Sequence, residues 1–285
     1  MNLCDPRTIR DVMSMYGMTF RKELGQNFLT NAAVVEDIAD ACSDTRDATI
    51  LEIGPGIGVL TRELARRAGR VVAIELDERL PPVLRETLAG QDNVTVVQGD
   101  CLKLDLTALI RERFCAMPVS VCANLPYYIT SPIVMRLLES RLPVTNITVM
   151  VQKEAAERLC AAPGTRAAGA VTLAVNYYAE AEVLFSVSRG SFLPAPNVDS
   201  AVIRLHVRQQ PPVDVRDERV LFSLIRAGFG QRRKTLQNAL CSAGYSKDEI
   251  AAALAAADIR QTARAEELTL AAFARLADAL PTKEG

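Results

Sequence analysis

Short apolar runs alternate with amphipathic stretches over the first two-thirds of this chain. Thr49–Gly54, Arg70–Leu76, Val94–Gly99, Val119–Asn124 and Asn146–Gln152 are rich in Val and Ile and largely continuous in hydrophobicity. That is the pattern of strands covered on both faces. Between them, Val59–Ala68, Glu78–Ala89, Leu106–Arg113, Pro132–Ser140 and Lys153–Ala161 carry helical spacing. Repeated strand–helix units predict an α/β fold built on a doubly wound parallel sheet. Two later β-like runs, Ala174–Val187 and Val198–Val207, follow without a crossover helix of ordinary length. They predict an antiparallel pair at one sheet edge.

Gln209-Gln210-Pro211-Pro212 breaks this rhythm, and a domain boundary is expected there. Residues 1–208 then form one domain with an N-terminal arm, and residues 209–285 a small all-α domain. Its helices are expected at Glu218–Phe229, Arg232–Ala243, Ser246–Ala257 and Thr269–Leu280. Gly244 reads as a helix C-cap, and Ser246 with Glu249 as a capping box. At the other end, Asp5-Pro6 reads as an N-cap followed by Pro at the first helical position. A helix Arg7–Tyr16 should follow and stop at Gly17, and another should run from Ala32 to Ala41.

Composition narrows the chemistry. No apolar run approaches the roughly 20 residues needed to cross a bilayer, and Met1–Arg10 lacks the apolar stretch of a secretory signal. A cytoplasmic location without a membrane partner is expected. The seven cysteines are scattered and none forms a Cys-x-x-Cys pair, so reduced, mostly buried thiols are expected. The single histidine, His206, sits in an alternating strand-like run and excludes any site needing several His ligands. No metal is expected. The formal net charge is −1, so any contact with nucleic acid must use local patches rather than an overall basic field.

Gly54, Gly56 and Gly58 stand G-x-G-x-G at a strand-to-helix turn. Without Cβ atoms, backbone there can turn tightly and approach a ligand. The dinucleotide fingerprint G-x-G-x-x-G fails, because its third position is Val59. Pro55 between the glycines fits the S-adenosylmethionine (AdoMet) type better. Glu75 ends the second strand, where a carboxylate can accept from two ribose hydroxyls. Asp100 ends the third, where it can accept from an adenine amine. A tight turn and strand-ending helix caps are the alternative reading of the same residues. The spacing favours a class I AdoMet-dependent methyltransferase sheet of Rossmann-like form.

The second chemical segment is Asn124-Leu125-Pro126-Tyr127. An adenine N6 is a poor nucleophile because its lone pair is delocalised into the ring. Two acceptors for its hydrogens, the Asn124 side-chain oxygen and the Leu125 carbonyl, favour a pyramidal nitrogen. Pro126 fixes the following φ, and Tyr127 offers a ring face for a flipped base. No strong base is required, since transfer from a sulfonium places the positive charge on N6.

Together these residues resemble the rRNA adenine N6-dimethyltransferase family, above all its bacterial small-subunit (16S) branch. The resemblance runs through Leu24–Leu29, Leu51–Leu60, Ile74–Asp77, Gln98–Asp100, Ala123–Tyr128, Gln152–Glu154, Phe192–Val202 and Gln231–Leu236. It implies that Asn27 and Leu29 close over AdoMet, and that Gly54, Glu75, Asp100 and Asn124 complete its pocket. It implies Phe192 as a second aromatic surface near the base. It further implies two methyls on each of two adjacent adenosines near the 3′ end of 16S rRNA, in an assembling small subunit. Related enzymes act on large-subunit rRNA and give antibiotic resistance. The Gln-Asn-Phe-Leu arm, the Phe-x-Pro-x-Pro-x-Val-Asp-Ser run and Gln-Arg-Arg-Lys-Thr favour the small-subunit branch. A DNA adenine methyltransferase and a ribosome-assembly factor acting mainly by binding are the other readings. A monomer is expected.

Phosphate contacts need local cations. Arg232, Arg233 and Lys234 form the sharpest cluster, with Arg226 upstream and Arg21 and Lys22 on the arm beside Arg7 and Arg10. Charge reversal at Arg232 and Arg233 is expected to weaken binding to small-subunit particles and leave AdoMet affinity unchanged. Co-sedimentation and calorimetry separate the two, and equal loss of both would indicate misfolding instead.

Overall fold

The computed structural model describes residues 1–20, 26–42, 45, 47–114, 118–231 and 233–281. Helix α1 (Pro6–Met15) starts under Asp5, whose carboxylate accepts from the Arg7 amide at 2.8 Å, and Gly17 follows it at φ +60°. The two-residue strand β1 (Phe28–Leu29) and helix α2 (Ala32–Cys42) come next. Strand and helix then alternate as the hydrophobic pattern requires: β2 (Thr49–Ile53), α3 (Val59–Arg67), β3 (Arg70–Glu75), α4 (Leu80–Thr87), β4 (Val94–Gln98) and α5 (Leu106–Arg113). They continue through β5 (Val119–Asn124), a 3-10 turn at Tyr127–Ile129, α6 (Thr130–Glu139) and β6 (Val144–Gln152). After α7 (Lys153–Leu159) and α8 (Ala170–Tyr178) come β7 (Ala179–Val187), β8 (Phe192–Leu193) and β9 (Ser200–Val207).

The main sheet has the order β4-β3-β2-β5-β6-β9-β7. Strands β2 to β6 run parallel, and β9 pairs antiparallel with β6. Every residue of β2 is buried, which explains its apolar continuity. Chain order reverses at β2, with β3 on one side and β5 on the other, so a crevice opens beyond their carboxyl ends. The register sets what lines it. Ile53 lies opposite both Ile74 and Ala123. Gly54, Glu75 and Asn124 therefore stand level on strands about 4.8 Å apart.

The chain divides into two units, residues 1–156 with 181–207, and residues 157–180 with 208–285. In the second unit, α9 (Glu218–Gly230), α10 (Leu236–Leu240), α11 (Lys247–Ala256) and α12 (Leu270–Ala279) surround a core that includes Leu221, Leu240, Leu254 and Phe273. The Ser246–Glu249 capping box is present in both directions.

Two local expectations are corrected, and one pairing is new. Ala174–Tyr178 is helical, and the strand begins only at Ala179. Leu173 and Tyr177, one helical turn apart, reach the core of the second unit, and a short apolar run does not reveal its period. The helix expected from Arg232 begins at Leu236 under Thr235, leaving Arg233 and Lys234 in the preceding turn. The β1–β8 pair, Leu29 opposite Phe192, was unforeseen, because two-residue strands carry no readable period.

Candidate active site

All three glycines of the turn after β2 are left-handed: Gly54, Gly56 and Gly58 have φ of +72°, +59° and +88°. L-residues avoid this region at about 1–2 kcal/mol each. Side-chain atoms at Gly54 would enter open space, whereas a Cβ at Gly56 would stand 2.8 Å from the Phe28 ring. Gly56 is thus bare because β1 packs on it. Its amide donates to Glu75 Oε2 at 3.1 Å, tying the turn to the end of β3.

One cavity gathers Asn27, Leu29, Gly54, Glu75, Asp100, Asn124 and Pro126. Asn124 is held from the arm. Its Nδ2 donates to the Asn27 carbonyl at 3.1 Å. A carbonyl can only accept, so the amide is oriented with Oδ1 left for a ligand. After Asn124, the Leu125 amide donates to the Met150 carbonyl at 3.2 Å. The Pro126 carbonyl accepts from the Ile129 amide and Thr130 Oγ1. The Leu125 carbonyl has no donor among the described residues.

Leu125, Tyr127 and Phe192 do not line this cavity. Leu125 is buried and offers only backbone. Tyr127 is half-buried, with its hydroxyl on Ser200 Oγ at 2.7 Å, while Tyr128 lines the cavity and is 58% exposed. Phe192, expected as an open aromatic surface, is 5% exposed and packed in the core behind β1. Strand pairing with Leu29 turns that ring inward.

The charges are unusual for a buried wall. Glu75 Oε1 accepts from the Asp77 amide at 2.7 Å, so both carboxylate oxygens are held by backbone donors. Burial pushes its acid up to about 7. Glu52, in the middle of β2, also lines the cavity at 1% exposure, and its Oε2 has no partner among the described residues. Burial pushes Glu52 up to about 8, and the Glu75 charge adds to the rise. Such groups suit a ligand bringing donors or positive charge. Glu52 was missed from sequence, although a carboxylate inside an apolar strand was a visible signal. Asp77 behaves oppositely. The Arg79 fork holds it down at about 2, and it accepts from Gln26 Nε2 at 3.0 Å, anchoring the arm. Asp100 Oδ1 accepts from the Leu102 amide at 3.0 Å.

Among the proposed RNA contacts, Arg226, Arg233 and Lys234 are exposed in the second unit. Arg21, Lys22 and Arg232 lie outside the described residues. Among the described residues no group of His, Cys, Asp and Glu is arranged to hold a metal, and no helix is long and apolar enough to cross a membrane.

Residues 17–281 match the family described as ribosomal RNA adenine dimethylase. The chain is 49% identical over 284 residues to the ribosomal RNA small subunit methyltransferase A of Geobacillus thermodenitrificans, covering 98% of this chain and 97% of that protein. The crystal structure of the 23S rRNA methyltransferase ErmE matches at TM-score 0.67 and 31% identity, over 89% of this chain and 99% of that one. A dimethyladenosine transferase from Plasmodium falciparum matches at TM-score 0.71 and 25% identity, over 87% and 95%.

Gly56→Ala is expected to destabilise the first unit by about 1–3 kcal/mol, from the left-handed φ and the displaced Phe28 ring. Chemical denaturation gives the loss, and faster amide exchange at Leu29 locates it.

Proposed function

Because the chain belongs to the ribosomal RNA adenine dimethylase family and is an AdoMet-dependent methyltransferase, we propose that it dimethylates N6 of two adjacent adenosines near the 3′ end of 16S rRNA. The substrate is a small ribosomal subunit under assembly, met in the cytoplasm by a single copy of the chain. The observation that carries this reading is the oriented Asn124 amide in the wall of the cavity. The 49% identity to a small-subunit methyltransferase, against 31% to a 23S rRNA methyltransferase, favours the small-subunit target.

The cavity fits AdoMet on two observations, the bare Gly54 turn and the unpartnered Glu52 oxygen. When bound, AdoMet supplies an electrophilic methyl on a sulfonium. The glycine turn lets backbone approach the donor, and Glu75 would accept from its ribose hydroxyls. Glu52 offsets positive charge in a water-poor wall. Asp100 accepts from the donor's adenine amine, and Asn27 and Leu29 cover the donor from the arm. Asn124 Oδ1 and the Leu125 carbonyl grip the target N6 hydrogens and aim its lone pair. The proton leaves to water once N6 carries the positive charge. Positioning supplies most of the rate. The helical segment 209–285 contributes phosphate contacts through Arg226, Arg232, Arg233 and Lys234, with Arg21 and Lys22 on the arm.

The direct test is mass spectrometry of 16S rRNA after incubating the protein and AdoMet with unmethylated small subunits, with 23S rRNA as a parallel substrate. Dimethyladenosine in 16S alone is expected, and no transfer to 16S would overturn the reading. Asn124→Ala is expected to lower transfer by about 10²–10³-fold, with particle binding retained. Particle maturation by that variant would instead point to an assembly role. Donor affinity should rise with pH from about pH 6 to about pH 9 as Glu75 and then Glu52 ionise. Calorimetry checks this, and Glu75→Gln should remove the lower of the two steps.

A further inference from the structure

Two neighbouring tyrosines follow Pro126, and the fold treats them differently. The Tyr127 hydroxyl sits on Ser200 Oγ at 2.7 Å, and Tyr127 does not line the cavity. Tyr128 does line it, is 58% exposed, and has no hydrogen-bond partner for its hydroxyl among the described residues. Leu76, which directly follows Glu75, also lines the cavity and is 46% exposed. The other large apolar side chains that stand exposed among the described residues, Met1, Met15, Val183 and Val198, lie away from it. A single exposed apolar side chain is ordinary on a protein surface. Two on the wall of one ligand cavity suit an apolar surface on the ligand.

The turn that carries Tyr128 is fixed by its backbone. The Pro126 carbonyl accepts from the Ile129 amide at 3.1 Å and from Thr130 Oγ1 at 3.3 Å. Ile129 and Ile133, four residues apart and so on one helix face, line the cavity as well, and Ile133 is 4% exposed. This wall therefore runs from a buried aliphatic side chain to an exposed aromatic one. Farther along α6, Arg136 Nη2 donates to the Leu104 carbonyl at 3.4 Å, tying the helix to the loop after β4 that holds Asp100.

We propose that Tyr128 is a binding residue whose ring face stacks on an adenine base at the cavity rim. The inference rests on the adenine-methylation reading above, in which the donor and the target each carry an adenine. Both acceptors which that reading gives to an adenine amine, Asp100 and Asn124, line the same cavity as Tyr128. An adenine whose amine is held by such an acceptor still needs a surface for its flat face. A tyrosine ring supplies one while its hydroxyl stays in water, so no polar partner is required of the protein.

The test compares Tyr128→Ala, Tyr128→Leu and Tyr128→Phe in two measurements. Calorimetry gives AdoMet affinity on the chain alone, and steady-state transfer at saturating AdoMet gives KM for unmethylated small subunits. Tyr128→Ala is expected to cost about ten-fold in one of them, the size of one lost base–aromatic stack. Tyr128→Phe keeps the ring face and should stay within about two-fold of the parent. Tyr128→Leu keeps apolar bulk without a ring face and should behave like Tyr128→Ala. A loss of AdoMet affinity identifies the donor's adenine as the stacked base. A raised KM with AdoMet affinity unchanged identifies the target adenine. So exposed a side chain is not needed to hold the fold, and Tyr128→Leu stands in should Tyr128→Ala prove unstable. Parental values in both measurements for Tyr128→Ala and Tyr128→Leu would overturn the proposal. So would a Tyr128→Leu that matches Tyr128→Phe, or a Tyr128→Phe as impaired as Tyr128→Ala. Absence of methyl transfer by the parent chain would instead overturn the functional reading beneath it, and the AdoMet affinities would then decide the role of the ring alone.

Discussion

A peptide carbonyl can only accept a hydrogen bond, and that constraint at Asn27 organises the site. It forces Asn124 to present its NH₂ to the arm and leaves its oxygen for a ligand. One 3.1 Å bond therefore joins the N-terminal arm to Asn124 at the end of β5. The bond depends on parallel register, because β5 must end level with β2 for Asn124 to stand beside the glycine turn. It depends equally on β1, seated on Gly56 and paired with β8, to bring Asn27 within reach.

The second constraint is electrostatic. Two carboxyls, Glu52 and Glu75, are buried in the same wall, and both have acids raised by burial. An apolar core would be more stable without them, since each charge loses hydration that nothing in the protein fully replaces. Both line the cavity, where a ligand with hydroxyl donors or positive charge would satisfy them. Asp77 shows the contrast two residues after Glu75. With Arg79 forked onto it and Gln26 donating, it is a structural anion that pins the arm.

Much of this was legible beforehand because the signals were local. Asp5-Pro6 and Ser246 with Glu249 encode helix starts within a few residues, and the structure places both as expected. The continuous apolar runs mark β2 through β6 because both sheet faces are covered. Glycines with strand-ending acids marked the cavity, and seven of the expected residues meet there. What failed was of another kind. Ala174–Tyr178 is compatible with either period, and its helix is decided by Leu173 and Tyr177 reaching a core assembled from distant helices. Phe192 looks like an open aromatic in sequence, but pairing with Leu29 turns it into the core.

The amino-acid sequence alone thus determined the order of most strands and helices, the parallel sheet, the glycine turn with its strand-ending acids and the position of Asn124 at the end of β5, because each is written in spacing over a few neighbours. Tertiary structure alone decided which Asn124 atom is left for a ligand, that Glu52 is buried in the cavity wall, and that the Ser200 hydroxyl meets that of Tyr127. Those facts arise between residues as far as 97 positions apart. Their partners are chosen by sheet order and burial, which no local pattern encodes.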